Sequence, residues 1–252
     1  MRIIIAPAKK MVVDTDSFAV DNLPQFLERT ERLKAALQAM TPKELQSLWK
    51  CNDAIAKLNV ERLAHMDLRR NLTPAVIAYE GIQYRYMAPG VMEAVHLDYL
   101  REHLRILSGF YGLLRPFDGA IPYRLEMQAK LTVDGCRDLY QFWDDRMARQ
   151  LAAETDTVLN LASKEYSRAV EPHLPEGVRF VTCSFGEWKG GKVVEKGTQC
   201  KMARGQMVRW MAERKIEDPE NLRAFDQLGY CFHGELSAKN HYVFLKQSER
   251  SI

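Results

Sequence analysis

Apolar residues recur along the chain with two different periods, and the period assigns each segment to a helix or a strand. In 23–40 an apolar residue returns every three or four positions, which predicts an amphipathic helix. Helices are predicted in the same way over 53–65, 96–107, 146–153 and 202–214. Thr41-Pro42-Lys43-Glu44 has the form of a capping box, in which Thr41 caps a helix and Glu44 reaches back to it.

Short runs of apolar, mostly branched residues predict strands, because they end at glycine, proline or polar positions before a helix could form. Such runs occupy 2–6, 76–80, 158–161, 178–185 and 241–246. For 76–80 the alternative is a short helix opened by Thr73-Pro74. The run 192–196 follows Gly190-Gly191 and is predicted to return as the hairpin partner of 178–185. Asp218-Pro219-Glu220 is predicted to open one more helix.

Strands and helices interleave without a regular βαβ rhythm, and no repeat or Pro/Gly-rich linker divides the chain. We therefore expect an α/β fold of the mixed α+β kind: one compact domain over 1–252, with a mixed sheet surrounded by helices. With 252 residues the chain can bury a large core without disulfides. Its composition, 46% hydrophobic and 27% charged, excludes wholesale disorder.

The net charge of +3 is too small to indicate a nucleic-acid-binding protein, so a local patch has to support that function. The five cysteines show no CxxC spacing, which favours reduced thiols in a cytoplasmic protein over a zinc site or a disulfide framework. The histidines form no HxxH or HExxH pattern, so neither a metal nor another cofactor is predicted. No signal peptide or membrane span is predicted, because no apolar run is long enough.

Two segments place lysine or glycine where phosphate binds in other proteins. Lys9 and Lys10 follow the predicted first strand, and ligands often lie beyond the carboxyl ends of strands. A solvated basic loop is the alternative. Gly109 and Gly112 stand between apolar flanks after a predicted helix, which is the outline of a helix–hairpin–helix turn that binds phosphate. These glycines are three apart rather than two, and close packing in a tight turn is the alternative.

The turns that follow contain two arginines and an acid. Arg115 and Arg124 have the planar, forked side chain that binds phosphate. Glu126 can instead neutralise one of them in a structural ion pair. Further on, Tyr140 and Trp143 can stack on a base or a nucleotide. Burial in the core is the alternative for both aromatic side chains.

Two more segments join a strand to a helix. Ser163 and Lys164 stand at a predicted helix N-terminus, where the pair can bind an anion or act as nucleophile and base. In the alternative, Ser163 only caps the helix and Glu165 balances Lys164. The segment 189–215 has the most concentrated positive charge, with Lys201 and Arg204 near the start of a helix. It is either a phosphate-binding surface or a solvated helix face.

Several of these motifs occur together in one known family. The chain resembles the YaaA family of bacterial peroxide-stress proteins from its first strand to the Gly229-Tyr230 region. The residues that carry the resemblance are IAPAKK at 5–10, LSGFYGLLRPFDGAIPYRLEM at 107–127, DLYQFWDD at 138–145, NLASKEYSR at 160–168 and KMARG at 201–205. The family commonly has Ser-Pro-Ala-Lys near its start, whereas this chain has Ala6 in place of the serine.

The resemblance implies a cytosolic protein that protects against hydrogen peroxide, in part by limiting the free iron that drives DNA damage. It implies a single mixed α/β domain with a helix–hairpin–helix element and a positively charged cleft that binds DNA. It attaches no enzymatic activity to the bulk of the family.

Two hypotheses about function follow. In the first, cations converge on a cleft and bind duplex or distorted DNA without sequence specificity or any membrane partner. These cations are Lys9, Lys10, Arg115, Arg124, Lys164, Arg168, Lys201 and Arg204. In the second, the cleft holds a nucleotide or another phosphate-bearing substrate of an enzyme. Tyr140 or Trp143 then stacks the base, and the residues that supply chemistry are Ser163, Lys164, Tyr123 or Glu126. An enclosed pocket favours the enzyme, and an open groove favours DNA.

Overall fold

The computed structural model describes residues 1–247. Its α-helices are Leu27–Gln38 (α1), Pro42–Trp49 (α2), Asp53–Ala64 (α3), Ala75–Ala78 (α4), Ile82–Met87 (α5), Ala94–His103 (α6), Leu139–Trp143 (α7), Arg146–Glu154 (α8), Lys164–Ser167 (α9) and Gly197–Arg214 (α10). Its strands are Arg2–Ile5 (β1), Lys10–Met11 (β2), Thr73–Pro74 (β3), Tyr79–Glu80 (β4), Leu104–Ser108 (β5), Gly112–Leu114 (β6), Gly119–Ala120 (β7), Thr157–Asn160 (β8), Arg179–Lys189 (β9), Lys192–Val194 (β10), Tyr230–Phe232 (β11) and His241–Lys246 (β12).

A mixed eight-stranded sheet organises the molecule, in the order β11-β12-β9-β8-β1-β5-β6, with β10 paired to β9. Its central strands β12, β9, β8, β1 and β5 are all parallel. The expected mixed α/β architecture is therefore confirmed. Taken in chain order, these parallel strands lie in the order 2-1-3-4-5, which is that of a doubly wound sheet.

The strand order creates a crevice at one edge of the sheet. From β1 the chain goes to β5 on one side, whereas β8, β9 and β12 are added on the other side. β1 and β8 are direct neighbours, with Ile4 opposite Asn160. The carboxyl ends of β1 and β8 therefore flank the topological switch point, where doubly wound sheets bind their ligands.

The central strand is buried on both faces. Ile3, Ile4 and Ile5 have no exposed surface, although their side chains alternate between the two sides of the sheet. Parallel strands covered on both faces read as continuous apolar runs rather than as alternating ones. This is why the N-terminal run was recognisable as a strand.

Two predicted elements are wrong in part. The helix expected over 96–107 ends at His103, and Leu104–Ser108 is strand β5, paired in parallel with β1. Leu104 and Leu107 continue the apolar period of the preceding helix, so the sequence pattern does not mark where that helix ends. The strand expected over 76–80 is helix α4 followed by the two-residue strand β4.

Most of the remaining predictions are confirmed. The Thr41 side chain accepts a hydrogen bond from the Glu44 amide, and the Glu44 carboxylate accepts one from the Thr41 amide at 2.8 Å. β9 and β10 form the expected hairpin across Gly190-Gly191. The helix expected after Asp218 is a 3-10 helix over Pro219–Ala224. No helix within 1–247 is long and apolar enough to cross a membrane.

Candidate functional site: a cationic cavity at the carboxyl edge of the sheet

A cavity of about 410 Å³ lies at the carboxyl ends of β1 and β8, at the switch point of the sheet. Its volume is typical of a site for a small molecule. Its lining comes from the loop after β1 (Ala6–Lys10), the start of α5 with Glu80 before it (80–84), the loop after β7 (123–126), the segment after β8 (Ser163, Glu165 and Tyr166), and Lys201 and Arg204 of α10.

Ion pairs hold part of the lining in place. Glu126 lies 2.9 Å from the Lys9 ammonium and 3.6 Å from the Arg124 guanidinium. Glu80 pairs with Lys10 at 2.8 Å. The expected neutralisation of an arginine by Glu126 is therefore confirmed, but two cations share this one carboxylate. The Glu126 cluster thus keeps a positive charge.

Helix α10 brings two further cations to the cavity. Lys201 and Arg204 are three residues apart and so share one face of the helix. A Cβ at Gly205 would lie 2.0 Å from the carbonyl oxygen of Gln83, so only glycine lets α10 pack this closely on α5. No ion pair involves Lys201 or Arg204 within the described part of the chain. They are the cations most available to an anionic ligand.

Three residues of the lining each contain a buried N–H donor that has no acceptor among residues 1–247: Nε2 of Gln83, Nε of Arg124 and Nε of Arg204. A buried donor without a partner costs about 1–3 kcal/mol. A ligand that supplies the missing acceptors is one explanation for donors of this kind. The cavity is therefore suited to a ligand rich in acceptor oxygens.

Tyr123 lies in the inner wall of the cavity and is only 8% exposed. Its hydroxyl is 2.6 Å from Oγ of Ser108 and 2.8 Å from the hydroxyl of Tyr79. Burial raises the pKa of Tyr123 to about 12, so the phenol is protonated at neutral pH. Tyr84 donates a hydrogen bond to the carbonyl of Ala6 at 3.0 Å and so anchors the loop after β1.

Glu165 is a partly buried acid of the cavity lining. Burial raises its pKa, and the charge of Glu126 raises it further, although a hydrogen bond from the Gln128 amide opposes the shift. The lining also contains five cations and three carboxylates, which leaves two positive charges in excess when all are ionised. The raised pKa of Glu165 and the excess of positive charge both favour an anionic ligand.

The structure brings eight of the residues singled out from the sequence together in this cavity. They are Lys9, Lys10, Tyr123, Arg124, Glu126, Ser163, Lys201 and Arg204. Ser163 occupies the N-cap position of α9, but its side chain makes no capping hydrogen bond. The predicted balance of Lys164 by Glu165 is not formed either, because Glu165 accepts from the Gln128 amide and lines the cavity.

The helix–hairpin–helix interpretation of 107–115 is wrong. Gly109 and Gly112 lie in a hairpin between the antiparallel strands β5 and β6, with no helix on either side. Both glycines are buried and so do not reach a phosphate. A Cβ at Gly109 would lie 2.6 Å from the carbonyl oxygen of Leu125, and Gly112 has a φ of +75° against the Trp143 ring. Close packing, the alternative, explains both residues.

The two candidate stacking residues lie outside the cavity. Trp143 is fully buried, and its indole N–H donates to the carbonyl of Gly109 at 2.9 Å, so Trp143 does not stack on a ligand. Tyr140 donates to the carbonyl of Glu165 at 2.9 Å. Its ring is covered by the guanidinium of Arg168 at 4.5 Å. Both aromatic residues therefore have structural partners.

Three predicted cations do not join the cavity. Arg115 follows β6, whose last residue Leu114 pairs with Ile106, so it lies toward the amino end of β5, at the opposite edge of the sheet. Lys164 and Arg168 are exposed on and after α9, and neither lines the cavity. The single cleft expected to collect all eight cations therefore collects five of them.

Sequence reasoning did not select Glu80, Gln83, Tyr84 and Tyr166, and it considered Glu165 only as a counter-charge. Tyr166 and Glu165 lie within the NLASKEYSR segment, which is one of the motifs that carry the family resemblance. Gln83 and Tyr84 stand in no recognisable motif and reach the cavity because α5 packs under α10. Within residues 1–247, no three His, Cys, Asp or Glu side chains are grouped to hold a metal ion.

Comparison with known proteins agrees with the resemblance seen in the motifs. A sequence model of the family described as peroxide stress protein YaaA matches residues 1–236. A UPF0246 protein of Desulfitobacterium hafniense strain Y51 is 52% identical over 246 residues, which is 98% of both chains. A UPF0246 protein of Lachnoclostridium phytofermentans is 51% identical over 98% of this chain and 96% of its own. A third, from Pediococcus pentosaceus, is 51% identical over 98% of both.

Proposed function

The chain belongs to the family of peroxide stress protein YaaA, and from this premise we propose that it protects DNA by binding it at the cationic cavity. The stress role comes with the family. The molecular step, DNA binding, is our proposal. It assigns the phosphate-binding role to the cavity rather than to the β5–β6 hairpin.

The observation that supports this proposal is the pair of unpaired cations on α10. Lys201 and Arg204 share one helix face, and they account for the two positive charges by which the lining exceeds its carboxylates. A phosphate backbone neutralises such cations and releases its counterions. The cavity presents no recognition helix for a DNA groove, so the proposed binding depends on charge and shape rather than on sequence.

We propose that any effect on free iron is indirect. The lining has three carboxylates, of which two pair with lysines. The excess positive charge repels Fe²⁺, and iron(II) sites generally need histidine or carboxylate ligands with free lone pairs. Bound protein would instead reduce the damage that iron causes at DNA.

Fluorescence anisotropy tests the proposal with labelled duplex, bubble and single-stranded DNA, titrated from low to physiological salt. The test variant is Lys201→Ala with Arg204→Ala. The matched control, Arg115→Ala with Lys239→Ala, removes the same charge at the amino edge of the sheet, because Lys239 precedes β12 and Arg115 lies toward the amino end of β5.

If each α10 cation neutralises one phosphate, the double variant loses about 1.8 from the slope of log K against log salt. The control variant keeps the cavity intact, so its slope of log K against log salt should equal that of the wild type. An absence of binding at low salt would refute the proposal. Equal losses of DNA affinity in the double variant and the control would show that DNA binds through the overall charge of the protein and not through the cavity.

A second function is favoured by the volume of the cavity, about 410 Å³, which fits a small molecule. In this alternative the protein is an enzyme acting on a nucleotide or another phosphate-bearing metabolite. Glu165 is then the candidate general acid or base, because its raised pKa brings it nearer to neutral pH. Thermal-shift measurements with a panel of phosphorylated metabolites test this. A compound that stabilises both the wild type and the Glu165→Gln variant, but that only the wild type converts, supports it, and no stabilisation by any compound refutes it.

A further inference from the structure

The hydrogen-bond partners of the Tyr123 hydroxyl, in the inner wall of the cavity, determine which groups it accepts from. Ser108 Oγ accepts hydrogen bonds from the amides of Phe110 and Tyr111 at 3.1 and 2.9 Å. Both of its lone pairs are then in use, so its own hydrogen is donated to the Tyr123 hydroxyl at 2.6 Å.

The Tyr79 hydroxyl, 2.8 Å from that of Tyr123, completes the arrangement. If Tyr123 donated to Tyr79, the hydrogen of Tyr79 would have no acceptor among the described residues. If Tyr79 donates instead, Tyr123 accepts twice and its own hydrogen is free. Tyr123, unlike Tyr79, lines the cavity, so the second arrangement leaves the free O–H donor on a residue of the lining.

Tyr123 therefore adds a fourth donor to those of Gln83, Arg124 and Arg204. Four lining residues with a free donor, and two positive charges in excess, favour a ligand with two properties. It carries about two negative charges, and it groups several acceptor oxygens. A phosphomonoester has both, with a charge near −1.5 to −2 and three terminal oxygens. A phosphodiester inside a strand has one charge and two such oxygens.

The volume gives a third constraint. About 410 Å³ accommodates a ligand of the size of one nucleotide, and is far too small for a segment of duplex. Gln83 and Tyr123, only 6% and 8% exposed, form part of its wall. A strand that ends in the cavity meets this constraint more easily than one that must enter and leave it.

We propose that the cavity binds the terminal nucleotide of a DNA strand through its phosphomonoester, and so recognises phosphorylated ends at breaks, nicks or gaps. This inference rests on the proposed DNA binding and deepens it. The cations at the rim contact the neighbouring backbone, and the four donors hold the end itself.

The test compares DNA molecules of one sequence that differ only in their ends. They are a covalently closed dumbbell without ends, and nicked forms whose nick carries a 5′-phosphate, a 3′-phosphate or only hydroxyls. Anisotropy at physiological salt gives the affinity for each. We expect one phosphorylated form to bind about tenfold more tightly than the hydroxyl form, because charge-assisted hydrogen bonds replace unpaired donors.

Two variants locate the preference in the cavity. Tyr123→Phe removes only the hydroxyl, and Gln83→Met removes the amide donor while keeping the length of the side chain. Each should reduce the preference several-fold. Tyr242→Phe is the matched control, since Tyr242 is a buried tyrosine whose hydroxyl pairs with Glu220 outside the cavity.

The outcomes separate this inference from the proposed function. Dumbbell and nicked DNA that bind equally well refute end recognition and leave DNA binding intact. A preference for phosphorylated ends that survives both cavity variants also refutes the inference. If neither dumbbell nor nicked DNA binds at all, the proposed function fails as well.

Discussion

Gly205 is a point of close approach between α10 and α5, and replacing it with alanine tests how the site is built. A Cβ at this position would lie 2.0 Å from the carbonyl oxygen of Gln83, 2.9 Å from its carbonyl carbon and 3.1 Å from the amide of Met87. All three are backbone atoms, so no side chain can rotate away. Normal contact distances of about 3.5 Å then require the two helices to separate by more than about 1 Å.

The expected cost follows from two opposing effects. Overpacking a close contact costs about 1–3 kcal/mol, and a clash with backbone lies at the upper end of that range. Alanine has a higher helix propensity than glycine, which returns about 1 kcal/mol. We therefore expect Gly205→Ala to lower the free energy of unfolding by about 2 kcal/mol. DNA affinity should fall too, because Lys201 and Arg204 move with α10.

Urea denaturation followed by circular dichroism measures the stability, and anisotropy measures the affinity of the folded protein. Gly197→Ala is the control on the same helix, because a Cβ there meets nothing within 4 Å. We expect that variant to be at least as stable as the wild type and to bind equally well. If Gly205→Ala behaved like Gly197→Ala, the close approach of α10 to α5 would not be what positions the cations.

Three further predictions concern single side chains. Trp143→Phe removes the hydrogen bond to Gly109 and should lower the free energy of unfolding by about 2 kcal/mol. The folded variant should keep its DNA affinity. A loss of DNA affinity without a loss of stability would instead support a stacking role for Trp143. Burial raises the pKa of Glu165, so lowering the pH should neutralise it and tighten DNA binding more in the wild type than in Glu165→Gln; parallel pH profiles of affinity would contradict this. Burial raises the pKa of Asp118 to about 6, so the folded state holds more protons than the unfolded state between about pH 4 and 6. The free energy of unfolding should then fall as the pH rises through that interval, and less steeply in Asp118→Asn; equal slopes in urea titrations would refute the assignment.

The sequence predicted the elements whose pattern has a single structural explanation. The Thr41 capping box, the hairpin at Gly190-Gly191 and strand 241–246 are confirmed. Cap chemistry decided the first, turn chemistry the second and the length of the apolar run the third. Leu104–Ser108 was missed because Leu104 and Leu107 continue the apolar period of helix α6. Without β5 the chain showed no βαβ rhythm, so the doubly wound order of the parallel strands could not be seen.

The site was predictable where its residues follow strand ends. Lys9 was selected because it follows a strand, and Ser163 because it stands between a strand and a helix N-terminus; both residues line the cavity. Gln83 could not be found, because it reaches the cavity only through the packing of α5 under α10. Gly109 fitted both phosphate binding and close packing, and Trp143 fitted both base stacking and burial in the core, so the sequence alone could not decide either role.

Hydrogen–deuterium exchange of the wild-type protein, with and without nicked DNA bearing terminal phosphates, tests most directly whether the cavity is the binding site. It needs no substitution and reports on every segment at once. We predict slower amide exchange in the segments that line the cavity, which are 6–10, 80–84, 123–126, 163–166 and 201–205. The amino edge of the sheet around Arg115 should exchange as in the free protein. Protection around Arg115 with none in the cavity segments would contradict the account.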